Sequence, residues 1–224
     1  SPLPKANSYP LSRYNSLASR KSKSMANLFE HLSDLIVSDI DPAEREAEIF
    51  ERYGQQVSVM ILDSSGFSRI SEEHGIVHFL TRLVMMRRIV EPILKSYNNL
   101  DFKFEADNIY AVFDHPDDAI RVSLETHAAV HENKLMLTES EPFRVCVGIG
   151  YGNLLYSETM EGYFGEEMNL ASKLGEDTAE GGETLLTNLA YESADPELVK
   201  SFKQASSLSI SGIEATYYQH QYES

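Results

Sequence analysis

Asp63 closes an apolar run, VSVMILD, and is followed at once by Ser64-Ser65-Gly66-Phe67. Asp107 interrupts a second apolar stretch, DFKFEADNIYAVFD, over residues 101–114. Two bare carboxylates at the ends of neighbouring core strands repel, and one of them then has to hold a proton. A divalent cation removes that conflict, and oxygen ligands of this type suit Mg²⁺ or Mn²⁺. Mg²⁺ usually takes one or two protein carboxylates and completes its shell with phosphates and water. The chemistry expected is therefore a metal–triphosphate site. Ser64, Ser65 and Gly66 stand before a helix and offer backbone N–H groups to an anion. Plainer roles exist for each residue alone. Asp63 also reads as a helix N-cap or turn residue, and Asp107-Asn108 as the tight turn of a hairpin. His74, His78, His127 and His131 have the residue type of metal ligands, and the last two stand four apart on one helical face. With no acidic base motif between them, they read as surface-helix residues.

These carboxylates need strands to carry them. The pattern predicts a strand over 57–63, then an amphipathic helical stretch interrupted near Gly75. Short strands over 102–106 and 109–113 form a hairpin, followed by a helix with Pro116 near its start. A strand over 143–151 turns at Gly152-Asn153 into 154–156. The segment GEEMNLASKLGEDTA reads as a helix, and strands over 183–187, 207–211 and 215–221 complete the set. The order predicts an α+β domain on one mostly antiparallel sheet, with the split βαβ signature of ferredoxin-like folds. Three regions are expected: a flexible basic arm (1–24), a helical lead-in (25–55) and the α+β domain (56–224). In the arm, Arg13 before Ser16 and Arg20-Lys21 before Ser22 resemble basophilic kinase sites, but such matches are common by chance and the arm reads as a solvated tail.

The formal charge of −16 argues against a general nucleic-acid binder, which needs a basic face. The charge is uneven: the arm holds five basic residues and no acid, so the remainder has 14 basic against 35 acidic residues. Cys146 is the only cysteine, which excludes an intrachain disulfide and suggests a reducing compartment, the cytoplasm. No run approaches the ~20 apolar residues of a membrane span. The first residue is Ser rather than Met, so a longer parent chain is expected.

Four segments carry a resemblance. ILDSSGFSRISEEHG resembles the F-x-D-x-x-G-F-S/T opening of class III adenylate/guanylate cyclase catalytic domains. FKFEADNIYAVF resembles their K-x-x-G-D-x-x-x-A-x-F hairpin, and FRVCVGIGYGNLL their R-x-G-I-x-x-G strand. FGEEMNLASKLGEDT resembles their G-x-x-V-N-x-A-S/A-R-L helix. The segments occur in the family's order over about residues 57–220. The resemblance implies that Asp63 and Asp107 bind two Mg²⁺ or Mn²⁺ ions, with the Ser64 backbone carbonyl as a further ligand. It implies that Ser64, Ser65, Gly66 and Phe67 hold the triphosphate, that Lys103 reads adenine and that Asn169 orients the ribose. It also implies a head-to-tail homodimer, with the metal ligands from one chain and Lys103, Asn169 and Lys173 from the other.

Some positions depart from that pattern. Lys173 stands where most members have an arginine that stabilises charge on the α-phosphate; lysine keeps the charge without the planar fork. Gly162, or Glu161 after a slip of one, falls near the second purine-reading position. Ser211-Gly212 replaces a Lys-Gly whose lysine binds triphosphate, and Ala106 replaces the glycine before the second aspartate. The function expected is conversion of ATP to 3′,5′-cyclic AMP and pyrophosphate. The alternative is a catalytically degenerate cyclase-like module that binds nucleotide or dimerises as a regulator.

Overall fold

Six consecutive buried residues, Val57 to Leu62, form the middle of β1 (Gly54–Ser64). Burial on both faces marks a central strand, so the alternation of a half-exposed strand is absent. The computed structural model describes residues 28–157, 162–205, 207–210 and 213–223. The basic arm, Glu161, Ser211 and Gly212 lie outside the described residues. Among those described, one compact unit takes in 28–54 with 155–157 and 162–163, and the other 55–154 with 164–223.

The first unit is helical. α1 (Leu28–Val37) is followed by a 3-10 turn, Pro42–Arg45, whose start is capped by the Asp41 carboxylate accepting the Ala43 N–H at 3.0 Å. α2 (Glu46–Tyr53) buries Ile49 and Tyr53 in a small cluster with Leu28, on which Leu32, Leu35 and Leu155 pack.

In the second unit, α3 (Phe67–His74) and α4 (Ile76–Ser96) follow β1, and they break at Gly75, as the sequence predicts. Phe79, Leu83, Met86, Val90 and Leu94 form the buried stripe of α4 at helical spacing. β2 (Asn99–Glu105) and β3 (Asn108–Phe113) make the hairpin, and α5 (Pro116–Glu132) covers the sheet. β4 (Val145–Ser157) and β5 (Gly162–Phe164) lead to α6 (Glu166–Ser172), continued by a π-helical turn, Lys173–Thr178. β6 (Glu183–Thr187), α7 (Asn188–Ser193), α8 (Pro196–Val199) and β7 (Lys203–Gln204) come next. β8 (Leu208–Ile210), β9 (Ile213–Ala215) and β10 (Tyr217–Gln221) end the chain order. The main sheet runs β2-β3-β1-β4-β6-β10-β7, with β5 paired to β4, and β8-β9 forms a separate ribbon. The β1–β3, β2–β3, β10–β6 and β10–β7 pairs are antiparallel, while β4–β6 is parallel. This is the α+β, mostly antiparallel architecture expected.

Five local expectations change. The hairpin turn is Ala106-Asp107, because Asn108 already pairs with Glu105 and belongs to β3. β4 runs unbroken through Gly152-Asn153. A Cβ at Gly152 would stand 2.8 Å from Glu167 Cγ, so this glycine serves close packing, not a turn. The helix over 165–179 changes from α to π at Lys173. The expected strand over 207–211 becomes β8 of the separate ribbon, paired with β9, while the strand expected over 215–221 is β10 of the main sheet. Lastly, His127 is buried rather than on the surface. Its Nε2 lies 3.0 Å from Thr184 Oγ1, which in turn is 2.6 Å from Ser123 Oγ.

Candidate active site

β1 delivers Asp63 and Ser64 to the edge of the core, and the register of β1 against β3 (Leu62 opposite Ile109) brings the hairpin tip beside them. The Ser64 hydroxyl donates to Asp107 Oδ2 at 3.5 Å, and the Ser64 N–H donates to Asp63 Oδ1 at 2.7 Å. Burial pushes the Asp63 carboxyl up to about 7. The Ser64 N–H opposes that shift; the charge of Asp107, a hydrogen bond with it, and the charge of Glu176 add to it. Asp63, Ser64 and Asp107 are therefore brought together within one chain.

The hairpin tip is held by residues that spacing did not reveal. Ala106 sits at φ 52, a left-handed conformation that glycine adopts freely and alanine does not. The Arg87 guanidinium, on α4, donates to the Ala106 carbonyl and lies 4.9 Å from the centre of the Phe104 ring. From the π-helical turn, Glu176 Oε1 accepts from Asn108 Nδ2 and from the Tyr110 hydroxyl, each at 3.0 Å. The π-helical turn itself fits only because of glycines. A Cβ at Gly175 would stand 2.8 Å from the Ile61 carbonyl, and one at Gly150 would stand 2.6 Å from the Glu167 carbonyl. Glu167 anchors α6 in that cradle, accepting from the Thr187 hydroxyl at 2.6 Å and the Tyr151 N–H at 3.0 Å. The one sequence signal for Arg87 was the alanine at 106, which implies a turn that needs outside support.

The donor set fits a divalent cation. Two carboxylates crowd one another, Asp63 is pushed towards neutrality without a positive partner, and Asn108 Oδ1 is a buried oxygen with no hydrogen-bond partner. Among the described residues no group of three or more His, Cys, Asp or Glu side chains is arranged to hold a metal ion. A cation here would draw the rest of its shell from backbone, water or phosphate.

Among the described residues, none of the other expected site residues makes a hydrogen bond or ion pair with Asp63 or Asp107. Lys103 Nζ lies 2.8 Å from Glu105 and 5.3 Å from the centre of the Tyr110 ring. Lys173 Nζ lies 2.6 Å from Asp177 Oδ2. Asn169 is exposed on α6, with no side-chain hydrogen bond among the described residues. Gly162 opens β5.

The loop after Asp63 differs in part from expectation. The Ser64 N–H is committed to Asp63, and the Ser65 N–H donates to the Arg144 carbonyl at 3.1 Å, so neither is free for an anion. Gly66, at φ 90, makes the turn into α3, and the Phe67 ring stands edge-on to Phe79 at 4.6 Å. Cys146 is buried on β4, and burial pushes its thiol up to about 12, which excludes a resting thiolate.

No protein-family model matches the sequence, and no curated protein matches it either. Solved structures do. An adenylate/guanylate cyclase/hydrolase from Silicibacter pomeroyi matches with a TM-score of 0.63 at 20% identity, over 74% of this chain and 96% of that one. An adenylate cyclase from Trypanosoma brucei, in its monomeric state, matches with a TM-score of 0.60 at 19% identity, over 73% and 88%. The adenylyl cyclase CyaB from P. aeruginosa matches with a TM-score of 0.59 at 21% identity, over 76% and 95%.

Proposed function

We propose that this chain, which has the fold of the class III adenylate and guanylate cyclase catalytic domains, is itself a nucleotide cyclase acting as a homodimer, with ATP the favoured substrate. The observation that carries the reading is the Asp63–Asp107 pair, two uncompensated carboxylates at the tip of adjacent strands on this fold. In the reaction the ribose 3′-oxygen bonds to the α-phosphorus, the bond from that phosphorus to the pyrophosphate oxygen breaks, and the hydroxyl proton leaves. Two Mg²⁺ or Mn²⁺ ions, when bound, supply a lowered hydroxyl pKa and a clamp on the triphosphate.

The chain's own residues prepare that geometry. Asp63 and Asp107 hold the cations, and Arg87 and Glu176 hold the hairpin that carries Asp107. Asn169 orients the ribose, Lys103 reads the base, and Lys173 lends charge to the α-phosphate. Lys103 and Lys173 each pair with an acid of their own segment and, among the described residues, Asn169 makes no side-chain hydrogen bond, so none of the three engages the carboxylates within a chain, which supports their entry from a second copy. An exposed apolar stripe on α4 (Val77, Leu80 and Val84) supports a partner surface. No helix of the described residues is long and apolar enough to cross a membrane.

A second reading has its own observation. Lys173 is tied to Asp177, and two loop amides are committed inward, which suits a module that binds nucleotide or dimerises without catalysis. Incubation with ATP, GTP, CTP or UTP plus Mn²⁺, followed by mass detection of cyclic products, separates the two. A cyclic product that disappears in Asp63→Ala supports the enzyme. No product from any of the four leaves the module.

A further inference from the structure

Residues from the end of α5, the loop that follows it, the start of β4 and the C-terminal segment line a cavity of about 310 Å³. Its apolar wall includes Val130, Leu135 and Phe143, all buried. Its polar lining includes His131, Lys134 and Arg144, all exposed, so the cavity opens to solvent on a basic rim. In a chain of formal charge −16, no carboxylate lines it.

Three features make the rim more than a chance grouping. Neither Lys134 nor Arg144 is in an ion pair among the described residues, although acids outnumber bases 35 to 19 in the chain. Arg144 passes a glycine pair. A Cβ at Gly181 would stand 2.9 Å from Arg144 Cβ and 3.3 Å from its Cδ, so a larger residue there would crowd this side chain, while Gly182 meets Arg144 Nη1 only at ordinary contact distance. Lys134 sits at φ 50, just past the end of α5, where glycine is the unstrained choice.

The remaining lining residues limit the ligand further. Tyr222 stacks near His127, with ring centres 6.3 Å apart at 19°, and its ring centre is 5.8 Å from that of His131. Thr184 occupies His127 Nε2, and the Glu183 backbone provides a further hydrogen bond, so this residue adds ring surface instead of a free donor. Ligand pockets run from roughly 300 to 1,000 Å³, and this one is at the small end, which suits a small organic molecule.

We propose that this cavity binds a small organic carboxylate, its charged group on Lys134 and Arg144 and its hydrocarbon body against Val130, Leu135 and Phe143. The charge and the apolar body are both required. A bare inorganic anion lacks the body, and a neutral ring leaves the two cations unpaired. The proposal does not depend on the cyclase reading.

Fluorine NMR with 4-fluorobenzoate tests it directly on the full chain. Saturable binding is expected, at least tenfold tighter than for 4-fluorobenzyl alcohol, and not displaced by equimolar sulfate. Arg144→Gln and Lys134→Gln should each weaken 4-fluorobenzoate by about tenfold with the unfolding midpoint in urea nearly unchanged. Absence of binding, equal affinity for the alcohol, displacement by sulfate, or undiminished binding in both variants overturns it. If Lys134→Gln lowers stability and leaves binding intact, Lys134 is only a helix-end charge, and the site as stated is wrong.

Discussion

Asp63 and Glu167 are both carboxylates set into the same unit, and burial pushes both upward, yet their surroundings are opposite. Glu167 accepts at Oε2 from both the Thr187 hydroxyl and the Tyr151 N–H. Asp63 has one such donor, Ser64 N–H, and otherwise faces Asp107 and Glu176, two further negative groups. A buried acid with donors is a strut between helix and strand. A buried acid among other acids holds no structure together, and its energy is recovered only when positive charge arrives. Burial alone does not distinguish structure from function; the sign of the neighbours does.

Exchanging the two roles gives the largest expected effects. Asp107→Ala should abolish Mn²⁺-dependent nucleotide binding, measured by calorimetric titration, without lowering the stability of the metal-free protein, because it removes repulsion. Glu167→Ala should do the reverse. It strands a hydroxyl and an amide at about 1–3 kcal/mol each, so urea unfolding should show a loss of about 2–6 kcal/mol. If Asp107→Ala binds nucleotide with the same Mn²⁺ dependence, its carboxylate is an ordinary turn residue and the contrast with Glu167 disappears.

Lys173 is the next largest. A lysine offers charge as a point donor and cannot grip two phosphate oxygens as a guanidinium does. Loss of a transition-state donor costs about 2.7–4 kcal/mol, or roughly a hundred- to thousand-fold in rate. Lys173→Ala should reduce turnover by that factor with little change in nucleotide affinity, and Lys173→Arg should keep or raise it. Equal activity in wild type and Lys173→Ala would return Lys173 to its Asp177 pair as a surface residue.

A mixed dimer tests whether the carboxylates and the helix residues meet across two chains. Asp63→Ala mixed with Asn169→Ala leaves one of the two interfacial sites wild type, so part of the activity should return. Mixed dimers that form and stay inactive would rule out a shared site.

Most of the strand and helix order, and the position of Asp63 and Asp107 at strand ends, were legible because each rests on local pattern. Apolar runs ending on a charge, a break at Gly75, and Pro116 at a helix start each report on their own neighbourhood. What was missed depends on contacts distant in sequence. Arg87 meets Ala106 only after α4 packs beside the hairpin, and Glu176 meets Asn108 and Tyr110 only through the π-helical turn. Gly152 resembled a turn because glycine serves turns and close approaches equally well, and only Glu167 tells which. His127 resembled a surface residue because its partner, Thr184, lies on a strand 57 positions away.

His127 supplies a satisfied counterpart to Asp63 among the bases. Burial holds its imidazole down at about 4 from an ordinary 6.5, with the charge of His220 acting the same way. The unfolded chain therefore takes a proton below about 6.5, while the fold does so only near 4. Its contribution to stability is complete above 6.5 and is lost as pH falls to 4, by at most about 1.4 kcal/mol per pH unit. Asp63 acts oppositely: its carboxyl is protonated in the fold up to about 7 and in the unfolded chain only near 3.8, so falling pH favours the fold over that window. Subtracting the urea unfolding curves of His127→Gln from wild type across pH 4–7 isolates the histidine. The wild type should lose more stability than the variant on acidification, and parallel curves would show that His127 titrates normally.

The smallest effect concerns the strain under Asp107. Alanine at φ 52 is disfavoured by about 1–2 kcal/mol, and glycine would relieve this while giving back about 0.4–1 kcal/mol through the freer unfolded chain. Ala106→Gly should thus stabilise the protein by about 0–1.6 kcal/mol, and Arg87 should still fix the carbonyl, leaving nucleotide affinity within about twofold. Arg87→Ala supplies the contrast. The Ala106 carbonyl loses its donor, the hairpin tip loosens, and Mn²⁺-dependent nucleotide binding should weaken more than stability does. If Ala106→Gly destabilises the fold, or Arg87→Ala leaves binding untouched, the tip is held by the strand ladder alone and Asp107 needs no support from α4.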